Sequence, residues 1–245
     1  MRHAWQWVMS VIFIAQMYVA MLVIGLAWLP AAIRSPQGAI DACHAYCRWV
    51  RLTARVLCNL RTEVRGTPPT DAALIAAKHQ SFLDIILIYG AVPQGRFIMK
   101  KELTWAPILG WFALRIGCVP VDRGKRGAAI AKMKEDVARG AEKPGQLIIY
   151  SQGTRVAPGV KAPYKVGTGL LYEQMAQPCV PVATNVGVFW PRHGLYRKPG
   201  LAVVEFLPPI PPGKAIAPFM AELERTVETA SDRLMAEAGF TPPAR

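Results

Sequence analysis

Between Ala4 and Ile33 the chain carries no charged residue, and Gln6, Ser10 and Gln16 are the only strongly polar side chains in a run of Trp, Val, Ile, Leu, Met and Ala. No soluble surface helix has that pattern. About 20 such residues span a bilayer core, so the run is long enough to cross with tilt, or to lie in one leaflet with a bend before Pro30. A cleaved signal sequence has a shorter apolar core, about 7–15 residues, followed by a small-residue cleavage site. Arg2 alone precedes the run, whereas Arg34, Arg48, Arg51 and Arg55 follow it. The positive-inside rule therefore puts the rest of the chain on the cytoplasmic side of a membrane.

Between Gln37 and Cys58 the apolar residues Ile40, Cys43, Cys47, Val50, Ala54 and Leu57 recur at helical spacing, opposite Arg48, Arg51 and Arg55. This predicts an amphipathic helix at the membrane surface, although the same stripe could dock on a globular domain. The expected division is an anchor and interfacial helix over residues 1–58 and one catalytic-sized domain over 59–245. A net charge of +13 points to anionic partners. Nucleic acid is disfavoured, because the positive charge is not interleaved with an aromatic stacking stripe and the apolar N-terminus would go unexplained. Five scattered cysteines without a C-x-x-C pair support neither a disulfide framework nor a zinc site.

Beyond Cys58, short apolar runs alternate with Gly and Pro, the pattern of an α/β domain with a mixed, largely parallel central sheet flanked by helices. Strands are predicted at Leu60–Val64, Ala73–Ala77, Phe97–Met99, Cys118–Val121, Leu147–Tyr150, Val180–Val186 and Leu201–Phe206. Helices are predicted at Phe82–Tyr89, Lys125–Arg139, Gly167–Ala176 and Ala217–Ala238, the last with a core stripe of Met220, Leu223, Val227 and Leu234.

The second predicted strand runs into Lys78-His79-Gln80-Ser81-Phe82-Leu83-Asp84. Ser81 and Asp84 form an S-x-x-D helix-start signal, which accounts for both locally. It leaves His79 unexplained, at a strand-to-helix junction where α/β proteins place functional groups. Asp84 could hold one ring nitrogen while the other faces a substrate. Other motifs are weaker. Gly167-Thr168-Gly169 lacks the third glycine and preceding strand of a dinucleotide loop. Ser151 sits in no G-x-S-x-G elbow. Trp190, beside Pro191, reads as packing, and His193 as part of the Pro191–Gly194 turn.

Three later segments add context: Met99-Lys100-Lys101-Glu102-Leu103 leading to Val119-Pro120-Val121-Asp122-Arg123, then Tyr150-Ser151-Gln152-Gly153-Thr154-Arg155, then Cys179-Val180-Pro181-Val182. In this order and spacing, over roughly residues 60–210, the four blocks resemble the glycerolipid acyltransferase family that includes 1-acylglycerol-3-phosphate acyltransferases. The resemblance implies that His79 and Asp84 are the H-x4-D catalytic pair. It also implies that Lys100, Arg123, Gln152, Gly153, Thr154 and Arg155 hold a phosphate-bearing acceptor. Val180-Pro181-Val182 would shape the acyl site. One position departs: the third block usually reads E-G-T-R, and Gln152 stands first here. The implied reaction takes a fatty acyl group from acyl-CoA or acyl carrier protein to lysophosphatidic acid at a bacterial inner membrane, without a further cofactor or metal. The same residues also fit another lysolipid acceptor, such as lyso-ornithine lipid, or a non-catalytic membrane-binding role. For the oxyanion of an acyl transfer, backbone N–H groups near the His79–Ser81 turn are the expected donors.

Overall fold

The structure, a computed structural model, describes residues 2–122, 131, 135, 137 and 145–241. Arg123 and nearly all of the helix expected over Lys125–Arg139 lie outside the described residues. Helix α1 runs Arg2–Arg34 and α2 runs Pro36–Cys58. Ser35 starts α2, its hydroxyl accepting from the Gly38 N–H at 3.1 Å, with Pro36 at the first helical turn. The two helices then fold back so tightly that a Cβ on Gly38 would stand 2.4 Å from the Ala31 carbonyl carbon. Only glycine fits there.

Strands β1 (Leu60–Gly66), β2 (Ala73–Ala77), β3 (Gly95–Lys100), β4 (Val119–Val121), β5 (Gln146–Tyr150), β6 (Cys179–Thr184) and β7 (Gly200–Phe206) form one sheet in the order β1-β7-β6-β2-β5-β3-β4. Neighbours run parallel except β6 with β7, so the mixed, largely parallel sheet is observed. Helices α3 (Phe82–Ala91), α4 (Leu109–Arg115), α5 (Gly167–Met175) and α6 (Ile216–Glu237) complete the described set, with 3-10 turns at Lys101–Trp105 and Val186–Val188. Within the described residues, the seven expected strands and the helices expected at Phe82–Tyr89, Gly167–Ala176 and Ala217–Ala238 are found to within a few residues. The turn at Lys101–Trp105 and helix α4 were not expected.

Strands β2, β5 and β6 are buried at every position, because both faces of the sheet are covered. Alternation divides β2 between two cores. Ile75 and Ala77 join α1, α2 and α3 on one face, and Leu74 and Ala76 join α5 and α6 on the other. On α6, Leu223, Val227 and Leu234 are buried as expected, Met220 only partly, and Phe219 and Met235 extend the stripe.

The two N-terminal helices pack on the domain instead of standing apart from it. Cys47, Val50 and Ala54, the centre of the α2 stripe, share a core with Phe13 and Met17 of α1 and Leu60 of β1. That stripe is spent on protein, whereas the outward side of α2 presents Trp49, Leu52 and Val56 beside Arg48 and Arg55. Helix α1 is tied down near both ends. Gln6 donates to the Cys58 and Arg197 carbonyls at 2.9 and 2.8 Å, and the Arg197 N–H donates to Ser10 Oγ at 3.0 Å. Near its other end the Arg115 guanidinium donates to the Ala32 and Ile33 carbonyls at 2.9 and 3.0 Å. Its free side remains apolar, with Val8, Ile12, Val19, Val23 and Leu26 all exposed.

Candidate active site

At the carboxyl edge of β2 the chain leaves the sheet through His79 and turns into α3. Ser81 is the N-cap, its hydroxyl accepting from the Leu83 N–H at 3.2 Å, and Asp84 closes the capping box. Asp84 Oδ2 accepts from the Gln80 and Ser81 N–H groups, each at 2.8 Å. Its other oxygen lies 2.8 Å from His79 Nδ1. The carboxylate is fully buried and His79 keeps 14% exposure, so the pair has one side toward solvent. A proton on Nδ1 shared with Asp84 leaves Nε2 as the lone-pair nitrogen.

The capping box narrows the set of oxyanion donors expected near this turn. The Gln80 and Ser81 N–H groups are already bound to Asp84. The same carboxylate that orients the imidazole has used them.

Register brings β5 beside this turn. Ala77 pairs with Tyr150, and the Tyr150 ring stacks on the imidazole at 3.8 Å between centroids with 13° between planes. Burial, and then the nearby Asp84 carboxylate, push the phenol well above its ordinary pKa, so it stays neutral. The loop beyond is Ser151-Gln152-Gly153-Thr154-Arg155. Gly153 takes φ +70°, and the Val156 N–H donates to the His79 carbonyl at 2.7 Å, joining the two loops. Gln152 is buried and donates from Nε2 to the Ala162 carbonyl at 3.3 Å, while its Oε1 has no partner among the described residues. It holds the loop by its N–H and not by its oxygen.

A cavity of about 610 Å³ opens from His79 between the sheet edge, α1, α2, α3 and α4. Its walls are largely apolar, with Met21 and Ile24 of α1, Tyr46 of α2, Ile86 of α3, and Ile108 and Phe112 at α4. Lys100, Thr154, Arg155 and Arg192 line it together with His79. Burial raises Cys43 to about 12 and Cys118 to about 11, so these two lining thiols stay protonated and are poor nucleophiles. Among the described residues no group of His, Cys, Asp and Glu could hold a metal ion.

The structure thus brings His79, Asp84, Lys100, Thr154 and Arg155 to one place, with Gln152 and Gly153 supporting the loop beneath. Lys100 is 54% exposed and lies 3.1 Å from Glu102. Arg123 is not among the described residues. Sequence reasoning missed Tyr150 as a stacking partner, Arg192, and the contribution of α1 and α4 to the cavity wall. His193, beside Arg192, is exposed in a turn, and Trp190 is buried as expected.

A family model described as Acyltransferase matches residues 61–185. The 1-acyl-sn-glycerol-3-phosphate acyltransferase of Pseudomonas aeruginosa is 27% identical over 194 residues, covering 78% of this chain and 76% of that protein. The alpha enzyme of the same name from Homo sapiens is 31% identical over 170 residues, covering 67% of this chain and 60% of its own length. Among solved structures, the 1-acyl-sn-glycerophosphate acyltransferase of Thermotoga maritima superposes with a TM-score of 0.81 at 20% identity, over 96% of this chain and 98% of that one.

Proposed function

Since this chain belongs to the acyltransferase family, we propose that it moves a fatty acyl group from acyl-CoA or acyl carrier protein to the sn-2 hydroxyl of 1-acylglycerol 3-phosphate, giving phosphatidic acid. The observation that carries the reading is the His79–Asp84 pair at the mouth of an apolar cavity whose rim holds two arginines, Arg155 and Arg192, without a carboxylate partner among the described residues. Relatives bearing that acceptor's name support the choice of substrate.

Each residue then has a chemical task. The cavity's apolar walls take an acyl chain out of water, and the acceptor phosphate meets the cations at the rim. His79 Nε2 removes the hydroxyl proton as that oxygen attacks the thioester carbonyl, and Asp84 stabilises the imidazolium that results. Collapse of the tetrahedral intermediate breaks the C–S bond, and the departing thiolate takes the proton back from His79. With the Gln80 and Ser81 N–H groups committed to Asp84, the Thr154 hydroxyl, which lines the cavity with His79, is a donor for the oxyanion.

The anchor fits a protein that meets its substrate in the bilayer. A helix held near both ends by one domain cannot leave that domain to cross a membrane. We therefore read α1 as lying within the cytoplasmic leaflet with its free apolar side in lipid. The test is reconstitution of the full chain into vesicles containing 1-acylglycerol 3-phosphate. Free thiol released from the donor should match phosphatidic acid formed, mole for mole. Transfer to a different lysolipid only would reassign the acceptor, and no transfer to any would reject the reading.

A further inference from the structure

Arg192 lies on the loop between β6 and β7, beyond the residues that the family model matches. It reaches the rim of the cavity beside Arg155, and the two are locked reciprocally. The Arg155 guanidinium donates to the Arg192 carbonyl at 3.4 Å, and the Arg192 guanidinium donates to the Arg155 carbonyl at 3.2 Å. Neither has a carboxylate partner among the described residues, whereas Lys100 on the same rim stands beside Glu102. Each guanidinium has five N–H donors, so one bond apiece leaves most of both forks unused.

Holding two unneutralised cations together costs Coulomb energy that an anion between them would return. The loop is built to keep them there. Trp190, two residues before Arg192, is buried, meets Phe13 of α1 edge-on at 5.3 Å, and lies under the Arg197 guanidinium at 4.4 Å. Arg197 is in turn fixed through its N–H to Ser10. Arg192 therefore stands on a braced loop.

We propose that Arg192 is a specificity-determining residue that forms, with Arg155, a two-guanidinium clamp for the phosphate monoester of the acceptor. This rests on the acyl-transfer reading above and adds a residue to it. A monoester dianion offers three terminal oxygens to two forks, and a diester offers only two with one charge. The clamp thus distinguishes a lysophosphatidic acid from a lysolipid with a head group.

The experiment compares the wild-type full chain with R192A, R192Q and R192K in detergent. It measures KM for 1-acylglycerol 3-phosphate, for a lysophospholipid with an esterified phosphate and for the thioester donor, together with calorimetric binding of a short-chain 1-acylglycerol 3-phosphate. Glutamine can still donate to the Arg155 carbonyl but has no charge, so R192Q separates electrostatics from loop support. Both R192A and R192Q should raise the monoester KM by roughly tenfold or more, as expected for a charged hydrogen bond, with a smaller change for the diester and none for the donor. R192K should recover part of the loss. Wild-type behaviour of R192Q, an equal loss for both acceptors, or a loss falling on the phosphate-bearing CoA donor would overturn the clamp. If the wild-type chain does not acylate the monoester, the substrate reading fails by itself. Binding still decides the clamp: monoester binding abolished by R192Q upholds it, and wild-type protein that binds no monoester rejects it.

Discussion

At the scale of single residues, Asp84 serves structure and chemistry with different oxygens. Replacing His79 by alanine removes the base, and transfer should fall by about 10²–10⁴ with the fold retained. Asp84→Asn tests orientation more sharply. An asparagine oxygen can still accept from the Gln80 and Ser81 N–H groups, but its NH2 would then face His79 Nδ1 and force the proton onto Nε2. A loss comparable to that of His79→Ala, with circular dichroism and membrane binding unchanged, is the expected result; more than about a tenth of wild-type turnover in either variant would dismiss the mechanism. Gln152 offers a test of the opposite kind. A glutamate there would turn an oxygen toward the Ala162 carbonyl in a buried site, so Gln152→Glu should destabilise the chain by about 1–3 kcal/mol, read as a lowered unfolding temperature in detergent. Equal stability would mean that this amide contact has no weight. His79 and Asp84 were legible in the sequence because one turn contains both. Arg192 was not, since nothing local marks an arginine in a Pro–Gly turn. Only the path of β6 and β7 brings it to Arg155.

At the scale of elements, short parallel strands were read well because continuous burial selects Val, Ile, Leu and Ala between Gly and Pro breaks. Helix α4 was hidden by Pro107 and Gly110, which punctuate the segment before any helical period is established. The docking of α1 was hidden for another reason: a helix apolar on every side gives no periodic signal of which side meets protein. Its polar residues supply that signal in the structure. Ser10 accepts from the buried Arg197 N–H on the loop that carries Trp190 and Arg192. Ser10→Ala leaves that N–H without its partner, at a cost of about 1–3 kcal/mol. Thermal unfolding should shift down, and the KM for the acceptor should rise while the donor KM holds. An effect on stability alone would show that the loop keeps its shape without α1.

At the scale of the whole molecule, exposed apolar residues gather on three elements. Helix α1 supplies Trp5, Val8, Val19 and Leu26, α2 supplies Trp49, Leu52 and Val56, and the α4 region supplies Trp105, Trp111 and Leu114. Trp105 is 82% exposed, far from the behaviour of a core indole, and tryptophan favours the membrane interface. Brominated lipids should therefore quench Trp105, observed in a chain whose other tryptophans are replaced by phenylalanine, and alkaline carbonate should leave the protein on the vesicles. An unquenched Trp105 would restrict lipid contact to the two N-terminal helices. The strand order has a last consequence, for biosynthesis. β1 follows α2 immediately, yet its strand neighbour is β7, made some 140 residues later. At roughly 5–20 residues per second, the anchor leaves the ribosome on the order of ten seconds before the sheet edge it leads into can close. With α1 in the leaflet as proposed above, the nascent chain would reach lipid while its catalytic half is unfinished, and that half would complete its folding at the bilayer surface.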